Sequence, residues 1–149
     1  MSRICISAEA IIAAQPEAIY EIFVDYHAKH GRILPAEFRD LEVEAGGHGA
    51  GTIIHLRSRV AGVERSYRMI VSEPEPGRVL VERDTLSTLV TTFTVTPIQD
   101  SQQAHVQIMT ELDISPGLSG LLERALLPSI MQRVYKKELR LLAHMLITC

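Results

Sequence analysis

The chain has 149 residues, 46% of them hydrophobic, and a formal net charge of -3. That length suits one domain spanning 1–149, with apolar residues enough for a sizeable core. The mild acidity excludes the basic footprint of a nucleic-acid binder, and no segment approaches the ~20 apolar residues of a membrane span. In chain order, Ile4 to Ala14 reads as a first strand. Pro16 then opens PEAIYEIFVD, where Ile19 with Phe23, and Tyr20 with Val24, recur at helical spacing. A second short helix is expected over 28–38, interrupted by Gly31 and Pro35. Strands follow at about 39–45, 52–60, 63–73, 78–84, 88–97 and 104–113. Their connectors carry turn chemistry: Ala61-Gly62, Glu75-Pro76-Gly77 and Gln99-Asp100-Ser101. Ser115-Pro116 has the form of a helix cap followed by a first-turn proline. From 117 to 147 the pattern is helical and strongly apolar, and Pro128 predicts a break or kink near 126–129.

Residues 46–52, GGHGAGT, place four glycines in seven positions. Gly46 and Gly51 have the separation of a phosphate-binding loop, and Thr52 supplies the hydroxyl. The lysine of that motif is missing, and a β-branched strand follows where a helix N-terminus would be needed. The stretch therefore predicts a hairpin turn.

Alternation along the strands separates two faces. Thr52, Ile54, Leu56, Ser58 and Val60 share one face of their strand, against Ile53, His55, Arg57 and Arg59. Arg65, Tyr67, Met69 and Val71 share the corresponding face of the next. Leu89, Thr91, Phe93 and Val95 continue it, as do Val106, Ile108, Thr110 and Leu112. One apolar and one polar face is the mark of an antiparallel sheet wetted on one side. The long element available to cover it is the C-terminal helix. There Ile130, Met131, Val134, Tyr135, Leu139, Leu142, Met145 and Leu146 form a wide apolar stripe.

This order, carried by SAEAIIAAQPEAIYEIFVD, LEVEAGGHGAGT, SEPEPGRVL, FTVTPIQD and the closing amphipathic helix, resembles the START-like superfamily and is most similar to its bacterial polyketide cyclase/dehydrase branch. The resemblance implies an α+β helix-grip fold: a curved antiparallel sheet of about seven strands wrapped around a long C-terminal helix, with two short helices between the first and second strands. It also implies an apolar cavity between sheet and helix. Ile54, Leu56, Tyr67, Met69, Thr91, Phe93, Ile108, Thr110, Met131, Val134 and Tyr135 are the expected ligand-binding residues. The partner implied is a hydrophobic small molecule: a lipid, an isoprenoid or a polyketide-like compound.

Catalytic and metal chemistry find little purchase. His27 and His30 in DYHAKH have H-x2-H spacing beside Asp25, but a metal site needs a third ligand and none has a motif position. His48 sits on the glycine loop, while His55, His105 and His144 fall on outer faces. No serine has a nucleophile-elbow context. Among polar residues expected to point inward, Tyr67 is read as cavity lining. Arg65, and Arg83 if Val79 and Val81 face inward, are read as strand-end arginines reaching water. Cys5 and Cys149 form neither metal spacing nor disulfide framework, so a reduced cytoplasmic setting is expected. MSRICISAEA lacks the basic start and long apolar run of a signal peptide. No catalytic residue is assigned, and neither a cofactor nor a metal is expected. Three functions stay open: a noncatalytic carrier, a polyketide cyclase or aromatase-like enzyme, and an interaction domain whose cavity its own side chains fill. The apolar segment 117–127 would serve as a lid over the cavity, or as a homodimer contact.

Overall fold

A computed structural model describes residues 2–114 and 118–148, without the side chains of residues 2, 118–124 and 148. The expected Ser115-Pro116 cap lies outside the described residues. The elements run β1 (Ser2–Ile12), α1 (Pro16–Val24), a 3₁₀ turn (His30–Ile33), β2 (Phe38–Ala45), β3 (Ile53–Val60), β4 (Val63–Glu75), β5 (Val79–Asp84), β6 (Val90–Ile98), β7 (Gln103–Ile114) and α2 (Leu118–Thr148). The expected second helix is reduced to that 3₁₀ turn. Gly31 lies within it and Pro35 follows closely, so a longer α-helix is not favoured there.

Among the described residues the seven strands form one antiparallel sheet in the order β1-β7-β6-β5-β4-β3-β2. Consecutive strands from β2 to β7 are neighbours, and β1 returns to pair with β7 along its whole length, from Ser2 opposite Ile114 to Ile12 opposite Ala104. The β3–β4 hairpin closes through Ala61 and Gly62, both at positive φ (52° and 79°). Positive φ at both central residues matches the right-handed twist of the strands they join.

The sheet is curved, and its inner face holds the core. β7 alternates half-buried and buried residues without a fault, placing Ala104, Val106, Ile108, Thr110 and Leu112 inside. Helix α1 buries Ile19 and Phe23 completely, the latter 4.8 Å from Phe93 on β6. Each such side chain contributes about 1.5–3 kcal/mol relative to exposure. α2 packs against β1, β7, α1 and the 3₁₀ turn. Its buried stripe is Val134, Tyr135, Glu138, Leu139, Leu142 and Met145.

Two expectations change here. First, α2 continues through Pro128 as one helix, so of the expected break or kink the break is absent. Ser129 Oγ donates to the Leu126 carbonyl at 3.3 Å, within the turn that the proline disturbs. Second, β5 has the opposite register to the one considered for Arg83. Leu80, Glu82 and Asp84 face inward, while Arg83 is exposed. Among the described residues, no helix is long and apolar enough to cross a membrane.

Candidate functional site

The glycine loop is a hairpin connection folded back on the protein. Gly47 adopts φ 134°, and a Cβ there would lie 1.8 Å from His27 Nε2, so no larger residue fits without displacing that ring. The loop amides already have acceptors. Gly47 N–H donates to Thr52 Oγ1, Gly49 N–H to the Val24 carbonyl, Ala50 N–H to Glu73 Oε2, and Gly51 N–H to the Val71 carbonyl. Donors engaged in this way are not free to cradle an anion.

Between the sheet and α2 lies an apolar chamber of about 260 Å³. Its walls come from Ile6 of β1, Ser58 and Val60 of β3, Tyr67 of β4, Thr110 and Leu112 of β7, and Leu126, Leu127, Ile130, Met131 and Tyr135 of α2. Ala61 and Val63 of the β3–β4 hairpin border it, as does the exposed Arg65. The hydroxyl groups of this outer chamber are engaged with one another or with Thr91 of the inner wall. Ser58 Oγ and Tyr67 Oη lie 3.0 Å apart. Thr91 and Thr110 face each other across β6 and β7 with their hydroxyls 2.7 Å apart, and Thr110 is hydrogen-bonded to the Tyr135 hydroxyl. Burial pushes that tyrosine well above its ordinary range.

A smaller inner chamber, about 40 Å³, adjoins the outer one. Tyr67, Leu89, Met131 and Tyr135 belong to both walls. The inner wall adds Ile54, Leu56, Met69, Thr91 and Phe93, together with His30, Glu82 and Glu138. Tyr26 donates to Glu82 Oε2 at 2.6 Å. His30 stacks on Tyr26 at 4.5 Å, places Nδ1 2.6 Å from the Phe23 carbonyl, and turns Nε2 toward Glu82 Oε2 at 3.6 Å. A carbonyl only accepts, so Nδ1 carries a proton. Glu138 is 3% exposed, and its Oε2 has no hydrogen-bond partner among the described residues. Burial, reinforced by the nearby Glu82, pushes Glu138 well above the usual carboxylate range. Burial, then Glu82, raises Tyr26 likewise.

Of the expected ligand-binding residues, Tyr67, Met131 and Tyr135 stand on both walls and Thr110 on the outer one. Ile54, Leu56, Met69, Thr91 and Phe93 stand on the inner wall. Ile108 and Val134 are buried and line neither chamber. The sequence reading missed His30, Glu82 and Glu138. The two histidines of DYHAKH part company: His27 is exposed against the Gly46 carbonyl at 3.0 Å, whereas His30 is buried. Among the described residues no cluster of His, Cys, Asp or Glu is disposed to hold a metal ion.

A curved antiparallel sheet, a long C-terminal helix and an apolar cavity between them define a START-like protein of the helix-grip fold. More particularly, the chain belongs to the polyketide cyclase/dehydrase and lipid transport family, whose sequence profile matches residues 3–146. No curated protein sequence matches the chain. Among solved structures it is similar to the KanY protein, with 24% identity, a TM-score of 0.83 and 97% of each chain covered. It is also similar to the Zhui aromatase/cyclase of Streptomyces sp. R1128, with 12% identity, a TM-score of 0.78, and 96% of this chain and 93% of that one covered. Norcoclaurine synthase from Thalictrum flavum, in complex with dopamine and hydroxybenzaldehyde, gives 18% identity and a TM-score of 0.73, covering 99% of this chain and 88% of that one. At these identities the likeness establishes the fold.

Proposed function

We propose that this protein binds a hydrophobic small molecule, such as a lipid, an isoprenoid or a polyketide-like compound, in the outer chamber, and that it acts as a carrier. The observation that carries this reading is the chamber itself: about 260 Å³ of unfilled space with apolar walls whose hydroxyls are largely engaged with each other. Few polar groups in an apolar pocket fix a ligand's orientation, while the apolar area supplies most of the affinity. Tyr67, Thr110, Met131 and Tyr135 are the contacts assigned to the ligand body.

A second reading is a cyclase or aromatase-like enzyme. It is favoured by the carboxyl groups of Glu82 and Glu138 on the wall of the inner chamber, since paired carboxyl groups in a cavity are the raw material of acid–base catalysis. Native mass spectrometry of the purified protein and titration with an environment-sensitive apolar dye test the carrier reading. Dye binding should saturate at one site, and Leu112→Trp, which fills the outer chamber, should weaken it at least tenfold while the protein still melts cooperatively. Equal binding to that variant, or dye signal confined to unfolded protein, overturns the assignment. Conversion of a linear poly-β-carbonyl chain to a cyclic product, abolished in Glu82→Gln, would replace it with the enzyme.

A further inference from the structure

The outer chamber explains how an apolar body is held, but it gives no role to the carboxyl groups beyond it. A buried carboxyl without a partner is costly, because it forfeits its hydration and gains no hydrogen bond. Glu138 is such a group: 3% exposed, with Oε2 unpartnered among the described residues, on the wall of the inner chamber. Glu82, 5% exposed, stands on the same wall. Among the described residues neither lysine nor arginine lines this space, and its basic side chain is His30, turned toward Glu82. Its about 40 Å³ exceeds the roughly 10–15 Å³ that one water needs, yet admits only a small head group. Phe93, Tyr67 and Tyr135 add aromatic rings to the same walls.

The head group that complements this arrangement must donate hydrogen bonds and carry positive charge. Two carboxyl groups on one wall, with Glu138 Oε2 unpartnered among the described residues and His30 beside Glu82, present hydrogen-bond acceptors at the end of an apolar cavity. An anionic head would be repelled. A hydroxyl can donate only one hydrogen bond, whereas an ammonium offers up to three donors, and aromatic faces attract it further. Resting on the reading of the outer chamber as the seat of the ligand body, we propose that the inner chamber, walled by Glu82 and Glu138, is a subsite for a protonated amine on an otherwise apolar ligand. The amine would enter past Met131, the flexible member of the shared wall, and Glu138 would surrender its proton to solvent as the ammonium takes its place. The groups facing Glu138 across the chamber are Glu82 from β5, His30 from the 3₁₀ turn and Tyr67 from β4, with Tyr135 on its own helix. Tyr26 stands behind Glu82 as its hydrogen-bond donor.

Isothermal titration of the whole protein at pH 7 with n-octylamine and n-octanol, each below its aggregation concentration, tests this. The amine should bind at least tenfold more tightly than the alcohol. In Glu138→Gln the ratio should fall below twofold. The wild type provides an independent readout: octylamine affinity should rise at least tenfold from pH 5 to pH 8, while octanol affinity stays flat. Octylamine is charged throughout that range, so the rise reports loss of a proton by the protein. Octanol binding as tight as octylamine, an unchanged ratio in the variant, or a flat pH profile for the amine overturns the subsite and leaves the apolar chamber standing. If neither probe binds, both readings fall.

Discussion

The two faces of the sheet use the same residue type in opposite ways. On the outer face, Glu44 accepts from Arg68 Nε at 3.1 Å and Nη2 at 2.7 Å, and lies 2.6 Å from His55 Nε2. Arg68, and then His55, hold it down to about 2. Glu9 meets His105, and Arg3 bridges Glu111 and Asp113. On the inner face, Glu82 has a tyrosine and a histidine for company, and across the inner chamber on α2 one oxygen of Glu138 has no partner among the described residues. The first arrangement is how a wetted sheet manages charge and contributes little, since solvent screens each pair. The second is a liability to the fold, because a buried carboxyl forfeits its hydration.

The largest break in this comparison comes from the apolar part of the inner face. Phe93→Ala removes a ring packed on Phe23 and His30 and should destabilise the protein by about 3–5 kcal/mol in urea denaturation. Its outward neighbour Thr92→Ala should cost under about 1 kcal/mol. Near-equal losses would mean that the two faces are not energetically distinct.

Glu138→Gln sharpens the contrast with a smaller effect of opposite sign. The folded state keeps a proton on Glu138 that the unfolded chain loses above the ordinary carboxylate range, so stability falls as pH rises through that window. The variant escapes this loss, and its advantage should grow by up to about 1.4 kcal/mol per pH unit. Melting temperatures at pH 4 and pH 8 measure it: near parity at the first, a stabilised variant at the second. A variant equally or less stable at pH 8 would mean that the folded protein tolerates the ionised group.

The smallest effect belongs to Glu44→Gln. A carboxylate held low contributes stability above its ordinary range and loses it as pH falls toward about 2. Because Glu44 is solvent-exposed, the variant should melt slightly lower at pH 7 in low salt and match the wild type in 0.5 M NaCl. A salt-independent loss would show that this triad is structural.

Most of the fold was legible because alternation is a strong signal when one face is wet. β3, β4, β6 and β7 each pair apolar positions with charged or hydroxyl-bearing ones, and the structure turns them as that pattern predicts. β5 was not legible. VLVERD begins with apolar residues on both faces, and its carboxylates read as solvated by habit. Glu138 hid in the same way, inside the charged run KKELR. The spacing nonetheless held the clue: Met131, Tyr135, Glu138 and Leu142 follow at helical intervals along the buried stripe. His30 could not be told from His27 by sequence, because the 3₁₀ turn alone buries one and exposes the other.

The order of strands also decides how copies of this protein can meet. An open seven-stranded sheet ends in two unpaired edges, β1 and β2, and an unguarded edge invites a foreign strand. Here the β1 edge lies under α2, whose Gln132 donates to the Ser7 carbonyl at 3.1 Å. The β2 edge is broken by irregularities between Arg39 and Glu42 and between Val43 and Ala45, and it carries Arg39, Asp40, Glu42 and Glu44. Both borders therefore resist extension of the sheet into a neighbouring molecule.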